Sequence, residues 1–400
     1  MKQLPLILLL AFGGVLAARE ARAQVLCSTL PNPVIMQVGD TQEPLLKNLG
    51  RRLRNSATHP ISIIYVTSGS CTNIDAIYAG TNITANPRYI PSTAEDAAWT
   101  PGTASPTCVN DTVGGLPLDI ANSALFVSAC NPDAPPAGIG LFQGPNQPYT
   151  FVVPQGSSQT TLTAEEAYFV FGFGALGQVM PWVDEAFYFI RPITKSTLLA
   201  LAAAIRVPGA KWKGTALERS TDVVNAVATS GEVEKTLGIL GAEVYDVNRG
   251  TLNALAFRSW NQFHAYYPDS TADAVDKKNV RDGHYVPWSP TVYLTHVDGG
   301  GVPTSARAKT VIDMIVGNPI DPAPDFDPLA VVIARGLVPE CAMSVNRSFE
   351  GGDLVPYASP EPCGCFFEDT LGDPGATCTA CSDVAPCATG TCRHGYCEAR

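Results

Sequence analysis

Short runs of β-branched and apolar residues alternate with segments of helical periodicity through most of the chain. Residues 34–38 and 61–66 are typical of strands. Residues 43–54 and 73–79, which follow them, repeat their apolar positions as amphipathic helices do. Strands that each lead through a turn into a helix favour the α/β class.

Further helix starts are marked by Ser, Thr or Asp residues that precede apolar segments. Thr163 and Glu166 form a capping box before one of them. The other predicted helices cover residues 198–206, 223–228, 252–257, 308–316 and 330–335. Stretches rich in Gly, Pro, Ser, Thr and Asn predict loops or lobe connections at 85–115, 131–148, 298–304 and 318–327.

The composition excludes several classes of protein. With 400 residues, 46% of them hydrophobic and 16% charged, the chain can bury a sizeable core, which excludes intrinsic disorder. The only long apolar run is at the N-terminus, which excludes a polytopic membrane protein. Lys and Arg total 26 against 37 Asp and Glu, a net charge of -11, so we expect no nucleic-acid partner.

The N-terminus has the pattern of a secretory signal peptide. Lys2 precedes an apolar stretch at 4–18, and Ala21-Arg22-Ala23 has the form of a cleavage site. We therefore predict a signal peptide over 1–23 and a secreted protein, periplasmic or extracellular at the cell surface. A signal anchor and a lipoprotein modified at Cys27 are the alternatives, although about 15 apolar residues are fewer than a bilayer span needs.

The cysteines divide the chain into a body, residues 24–339, and a cysteine-rich tail, residues 340–400. The body carries Cys27, Cys71, Cys108 and Cys130, and the tail carries Cys341, Cys363, Cys365, Cys378, Cys381, Cys387, Cys392 and Cys397. Both sets are even, which predicts disulfides in an exported protein and leaves their connectivity open. The alternative hypothesis for the densest tail cysteines is a zinc site. We also expect the tail to be separable from the body.

Sequence motifs of enzymes are missing. The chain contains no G-x-S-x-G, H-E-x-x-H or G-x-x-x-x-G-K-[ST] pattern, and its five histidines are scattered singly. We therefore expect a protein that is not an enzyme, with no catalytic residue, metal or cofactor.

Three strand-to-helix turns rich in Gly, Ser and Thr carry the candidate chemistry. They lie at 38–42, 67–72 and 191–197, and the third contains Arg191. A helix N-terminus has free N–H groups and a partial positive charge, so several that converge can hold a dehydrated anion. One Arg would add a bidentate fork. Ordinary helix capping is the alternative for each turn taken alone.

In residues 34–296 the body resembles the phosphate-binding proteins of bacterial ABC importers, within the type II periplasmic binding proteins. The segments that carry the resemblance are Gly39-Asp40-Thr41, Ser68-Gly69-Ser70, 118–123, 149–154 with 162–166, 191–197 and 280–294. In the Arg loop, Arg191 and Thr197 match the family in place, whereas Lys195 and Ser196 stand where it has Ser and Gly.

The resemblance implies a two-lobed α/β fold with two crossover strands, near 148–153 and 287–294, followed by a small disulfide-rich tail. Lobe I would combine residues 24–147 with 290–339, and lobe II would be residues 148–289. The implied ligand-binding residues are Asp40, Thr41, Ser68, Gly69, Ser70, Ser123, Arg191, Lys195, Ser196 and Thr197.

The resemblance implies a secreted solute-binding protein that holds an oxyanion, with inorganic phosphate as the first candidate and an ABC permease as partner. Ala124 stands where the family has an Asp that accepts the phosphate proton, and Asp40 is the candidate substitute. The alternative is a cell-surface or extracellular interaction protein that keeps the fold without transport. A secreted hydrolase is the third reading. The tail's partner stays open.

Overall fold

A computed structural model describes residues 24–372, 375, 377–382 and 385–398. The predicted signal peptide and the alternative signal anchor lie at residues outside this set. The lipoprotein alternative is not supported, because Cys27 is paired with Cys108. Among the helices that the structure describes, none has both the length and the apolar character required to cross a bilayer.

The helices and strands follow the order that the sequence pattern predicts over most of the body. The α-helices are α1 (Glu43–Asn55), α2 (Ser70–Tyr78), α3 (Ala164–Phe173), α4 (Ser196–Ile205), α5 (Ser220–Ala228), α6 (Ala242–Asp246), α7 (Lys278–Arg281), α8 (Ala306–Val316), α9 (Pro328–Ile333) and α10 (Gly364–Thr370). The strands are β1 (Pro33–Gly39), β2 (Ser62–Ser68), β3 (Arg88–Tyr89), β4 (Ile120–Ser123), β5 (Ile139–Pro154), β6 (Thr161–Thr163), β7 (Tyr188–Ile190), β8 (Thr215–Ala216), β9 (Leu237–Gly241), β10 (Leu252–Ala254), β11 (Ala256–Arg258), β12 (Trp288–His296), β13 (Val345–Asn346), β14 (Val355–Pro356), β15 (Thr391–Arg393) and β16 (Tyr396–Glu398).

Two long strands connect the two lobes. The main sheet has the order β3-β2-β1-β4-β12-β5-β9-β7-β8, and β10 also pairs with β5. The first half of β5 pairs with β12, whereas residues 149–154 pair with β9 and β10. The two-lobed α/β fold with two crossover strands is therefore confirmed. Below, lobe I means the part built on β1–β4 and lobe II the part built on β7–β11; their boundaries in residues stay a prediction.

Each lobe buries its sheet under helices. In β1, Val34 and Met36 face the core beneath α1 and α8, and Ile35 between them faces the core beneath α2. This alternation of neighbouring side chains shows that both faces of the lobe I sheet are covered. Phe151 and Phe257 belong to the large core of lobe II.

One predicted helix is wrong. Residues 252–257 form β10 and β11. A short, continuous apolar run has no clear period, so it fits a buried strand as well as a helix. Here Leu252 pairs with Pro154 at the end of β5, and Ala256 pairs with Thr161 of β6. The predicted capping box of α3 is confirmed, because Thr163 Oγ1 accepts from the N–H of Glu166 and Glu166 returns the bond.

All twelve cysteines are paired, and no pair joins the body to the tail. The body disulfides are Cys27–Cys108 and Cys71–Cys130. The tail disulfides are Cys341–Cys363, Cys365–Cys378, Cys381–Cys392 and Cys387–Cys397. The predicted disulfide-rich tail is therefore confirmed, and the structure supplies the connectivity that the sequence left open.

The first part of the tail packs on lobe II. Cys363 and Phe367 are buried in the same core as Phe151. The guanidinium of Arg281, at the end of α7, lies 4.8 Å from the ring centre of Phe367 and donates to Glu368 at 2.7 Å. This packing argues against the separability expected from the sequence.

Candidate functional site

The carboxyl ends of two sets of strands face each other between the lobes. In lobe I the parallel strands β1, β2 and β4 end at Gly39, Ser68 and Ser123. In lobe II the parallel strands β7, β8 and β9 end just before Arg191, Leu217 and Ala242. Open α/β sheets place ligand-binding loops at this edge. We call the space between the two edges the cleft.

Asp40 crosses the cleft from lobe I to lobe II. It follows β1, and its carboxylate accepts from Arg191 Nη2 at 3.0 and 2.9 Å. The same carboxylate accepts from the backbone N–H of Ser220 at 3.1 Å and from its hydroxyl at 3.0 Å. Ser220 begins α5, so the carboxylate lies at a helix N-terminus, where negative charge is stabilised.

Arg191 is held in place by lobe II. Its side chain is fully buried. Nε donates to the carbonyl of Leu217 at 3.0 Å, Nη2 donates to the carbonyl of Glu218 at 2.8 Å, and Nη1 donates to the Ser220 hydroxyl. These bonds fix the plane of the guanidinium, so it presents a fixed donor face to lobe I.

The charges around Asp40 keep it ionised. Burial alone would raise the pKa of Asp40, but the charges of Arg191 and Lys195 and the Ser220 N–H outweigh burial and hold that pKa below its ordinary value. Lys195 Nζ lies 3.9 Å from Asp40 and 2.9 Å from the carboxylate of Glu218, which is exposed. The structure thus brings three predicted site residues, Asp40, Arg191 and Lys195, together.

On the lobe I side, the predicted serines make local bonds. The Ser70 hydroxyl accepts from the N–H of Ala124 at 3.1 Å, and the Ser123 hydroxyl donates to the carbonyl of Leu125 at 2.9 Å. Ser68 lies half-buried at the end of β2. Gly69 meets Thr194 of lobe II across the cleft.

The start of α2 contacts the Arg loop of lobe II directly. The N–H of Cys71 donates to the carbonyl of Thr194 at 3.3 Å. A Cβ on Gly69 would lie 2.5 Å from that carbonyl oxygen, so only glycine allows the lobes to approach this closely.

The remaining predicted residues lie at two helix starts. Ser196 begins α4 and hydrogen-bonds to Tyr149, whose hydroxyl also donates to the carbonyl of Ala124. The hydroxyls of Thr41 and Thr197 are buried and have no hydrogen-bond partner. Two hydroxyl donors at these helix starts are therefore unused.

The comparisons with known proteins find similarity at the level of structure. Neither a family model nor a curated protein sequence matches the chain. A protein assigned as a phosphate ABC transporter substrate-binding protein from Clostridium perfringens, solved with bound phosphate, is similar with a TM-score of 0.52 and 12% identity, over 77% of this chain and 99% of that chain. An ABC-type phosphate transport receptor from Vibrio cholerae gives a TM-score of 0.46 and 13% identity, over 76% and 99%. The OxyR regulatory domain from Pseudomonas aeruginosa gives 0.38 and 12%, over 71% and 96%.

The chain has the fold of the type II periplasmic binding proteins. Within this periplasmic-binding-protein fold, the cleft also contains residues that the sequence analysis did not select. Ser220 stands just before the predicted helix 223–228, as an ordinary helix-start residue does, and nothing near it in sequence indicates that it bonds to Asp40. The sequence feature that could have indicated Ser220 is its position at a helix N-terminus. This feature points to an anion site only when Arg191 is known to lie beside it.

A chain of buried polar side chains joins the lobes behind Asp40. Tyr293 donates to Gln42 at 3.2 Å, and Gln42 donates to Gln147 at 2.6 Å. Gln147 in turn donates to Glu243, which follows β9. Burial raises the pKa of Glu243 to about 8, so the carboxyl is largely protonated at neutral pH.

The tail contributes one buried carboxyl group beside the crossover strands. Glu350 accepts from the hydroxyl of Ser289, in β12, at 2.7 Å to each oxygen and also bonds to the backbone of Phe126 in lobe I. Burial raises the pKa of Glu350 against the opposing effects of Ser289 and Arg347. No local sequence pattern predicts that a residue of the tail reaches this position.

Proposed function

We propose that this protein is an extracytoplasmic solute-binding protein that holds an oxyanion, phosphate in the first place, between its two lobes. One observation carries the proposal: a fully buried guanidinium, a helix N-terminus and an ammonium group already hold a carboxylate across the cleft. Such donors recognise oxygen anions without a net positive protein. The bound phosphate in the similar Clostridium perfringens structure supports the choice of ligand.

Closure of the lobes supplies the mechanism. β5 and β12 form the hinge. Arg191 and Thr194 from lobe II meet the turns after β1 and β2 from lobe I. Closure removes water from the anion and strengthens its bonds to the fixed donors. A permease of an ABC importer would recognise the closed form. The paired cysteines and the predicted signal peptide support an exported location.

A second candidate function is an extracellular interaction protein that keeps this fold without transport. The observation that favours it is that Asp40 fills the donor site and Glu350 from the tail lies at the crossover strands. In that case the protein would bind no small anion, and the closed lobes would serve as a rigid scaffold.

Replacing Arg191 tests the proposed site. Arg191→Ala should weaken phosphate binding tenfold or more, because each charge-assisted bond that the guanidinium makes contributes about 1.5 to 3 kcal/mol. Calorimetry on protein purified free of ligand measures the change, and circular dichroism checks that the variant is folded.

Arg52→Ala is the matched control, because Arg52 is exposed on α1. It should leave affinity unchanged. If the wild-type protein binds neither phosphate nor sulfate at millimolar concentration, and no Asp40 variant binds them either, the solute-binding proposal fails and the scaffold function takes its place.

A further inference from the structure

We propose that Asp40 is an intramolecular competitor for the anion site, which occupies the donors of Arg191 and Ser220 in the unliganded protein and is displaced by an incoming tetrahedral oxyanion. This inference rests on the proposed function and names the residue that selects among anions. It differs from a role of Asp40 as acceptor of the phosphate proton, in which Asp40 and the ligand would be bound side by side.

The bonds of Asp40 are those that a bound anion would need. Its two oxygens accept from Nη2 of Arg191, from the N–H of Ser220 and from the Ser220 hydroxyl, at 2.9 to 3.1 Å. A second oxyanion cannot accept these same hydrogen bonds, and two negative groups so close would repel each other. Ligand and Asp40 therefore exclude each other at this point.

Of the two partners, Asp40 is the one that can move. The Arg191 side chain is fully buried and tied to the carbonyls of Leu217 and Glu218. The Asp40 side chain is 15% exposed and lies in the turn between β1 and α1. Rotation of this short side chain takes its carboxylate towards water and leaves the donor face of Arg191 unchanged.

Two of the residues that the sequence predicts as ligands have unused hydroxyls. Thr41, next to Asp40, and Thr197, in the first turn of α4, are 4% and 1% exposed, and their hydroxyls lack partners. A buried donor without an acceptor is destabilising. A carboxylate offers two oxygens, whereas phosphate and sulfate offer four, so a tetrahedral anion has oxygens left for further donors.

The balance of charge sets the class of ligand. Asp40 neutralises Arg191, and Lys195 pairs mainly with the exposed Glu218. A free monocarboxylate carries no more charge and no more oxygens than the Asp40 carboxylate. Asp40 also has the advantage that the chain already holds it at the site. A tetrahedral dianion offers more of both. We therefore expect phosphate and sulfate to displace Asp40, and acetate to fail.

Variants of Asp40 test the competition. If Asp40 leaves the site free in about one-tenth of the molecules, a ligand that binds only those molecules shows an apparent affinity about tenfold weaker than its intrinsic affinity. Asp40→Asn and Asp40→Ala should therefore bind phosphate and sulfate about tenfold or more tightly than the wild type, by calorimetry. Asp75→Asn, an exposed Asp on α2, is the matched control and should show no change.

The outcomes separate this inference from the proposed function. If both Asp40 variants bind phosphate more weakly than the wild type, or lose only the preference for phosphate over sulfate, Asp40 is a ligand contact and the inference is overturned while the proposed function stands. If neither the wild type nor the variants bind any anion, both fail.

A measurement on the wild type covers the case in which a variant does not fold. Phosphate at saturation should return the pKa of Asp40 towards its ordinary value, followed by carboxyl NMR, because the carboxylate has left Arg191. A pKa that stays low in the phosphate complex would show that Asp40 keeps its place, and would overturn the inference.

Discussion

Glu243 lies buried just after β9, at the lobe II end of the polar chain that begins at Tyr293. Its neutral form avoids the cost of a buried charge, so burial favours protonation. Because the folded protein holds this proton up to a pKa of about 8, against 4.5 for the ordinary side chain, stability depends on pH.

We expect Glu243 to make the protein less stable as pH rises from 4.5 to 8. In this range the folded state binds more protons than the unfolded state, so the free energy of unfolding falls by roughly a few kcal/mol and levels off above pH 8. Glu243→Gln should remove this part of the pH dependence in denaturant titrations. Glu232→Gln, at an exposed carboxylate of lobe II, is the control. If the difference in free energy of unfolding between Glu243→Gln and the wild type is the same at pH 5 as at pH 8, Glu243 is not the source of the pH dependence.

At the scale of single residues, the sequence identified Arg191 and Asp40 but not their bond to each other. They are 151 positions apart, and local pattern contains no information on pairs this distant. Glu243 and Glu350 gave no signal either, because a lone Glu usually faces solvent. Burial that tertiary packing imposes cannot be deduced from composition or period.

At the scale of elements, turn chemistry predicted most helix starts, because caps and Gly-rich turns act locally. The error at 252–257 arose where the choice between helix and strand depended on a partner strand. β5 extends into lobe II with an edge to be paired, and Leu252 and its neighbours supply that pairing.

The close approach of α2 to the Arg loop is an element-scale contact that one methyl group can disrupt. Gly69→Ala places a Cβ 2.5 Å from the Thr194 carbonyl oxygen, so the lobes must move apart. We expect a larger radius of gyration in X-ray scattering and a loss of about 1 to 3 kcal/mol of stability, the usual cost of overpacking. Gly231→Ala meets no atom within 4 Å and should change neither. Unchanged scattering and stability in Gly69→Ala would show that this contact does not hold the lobes together.

At the scale of the whole molecule, the tail has two parts. Residues 340–371 complete lobe II through Phe367 and Cys363, whereas β15 and β16 form a small disulfide-linked unit. Glu398, in β16, joins the parts, because its carboxylate accepts from the N–H groups of Cys365 and Phe366 at 3.1 and 2.9 Å. The spacing of the cysteines predicted a single tail. Cysteine spacing alone does not distinguish a segment that packs on a core from one that does not.

Two truncations test this division. A chain that ends at residue 339 should be destabilised by on the order of 5 kcal/mol or more, because it loses Phe367, a type of core residue whose truncation alone costs about 3 to 5 kcal/mol. A chain that ends at residue 372, with Cys365→Ser to avoid a free thiol, should stay folded. Denaturant unfolding of both measures the difference. Equal stabilities would show that the core of lobe II is complete without residues 340–371.

The crossover strands and the packed tail delay folding during synthesis, because both complete cores that begin much earlier in the chain. Lobe I lacks β12 and α8 until residue 316 has been made, and lobe II lacks Phe367 for longer still. Contacts between such distant parts of a chain form late. The nascent chain therefore leaves the ribosome with both cores incomplete, and it acquires its fold only when nearly all of it is free.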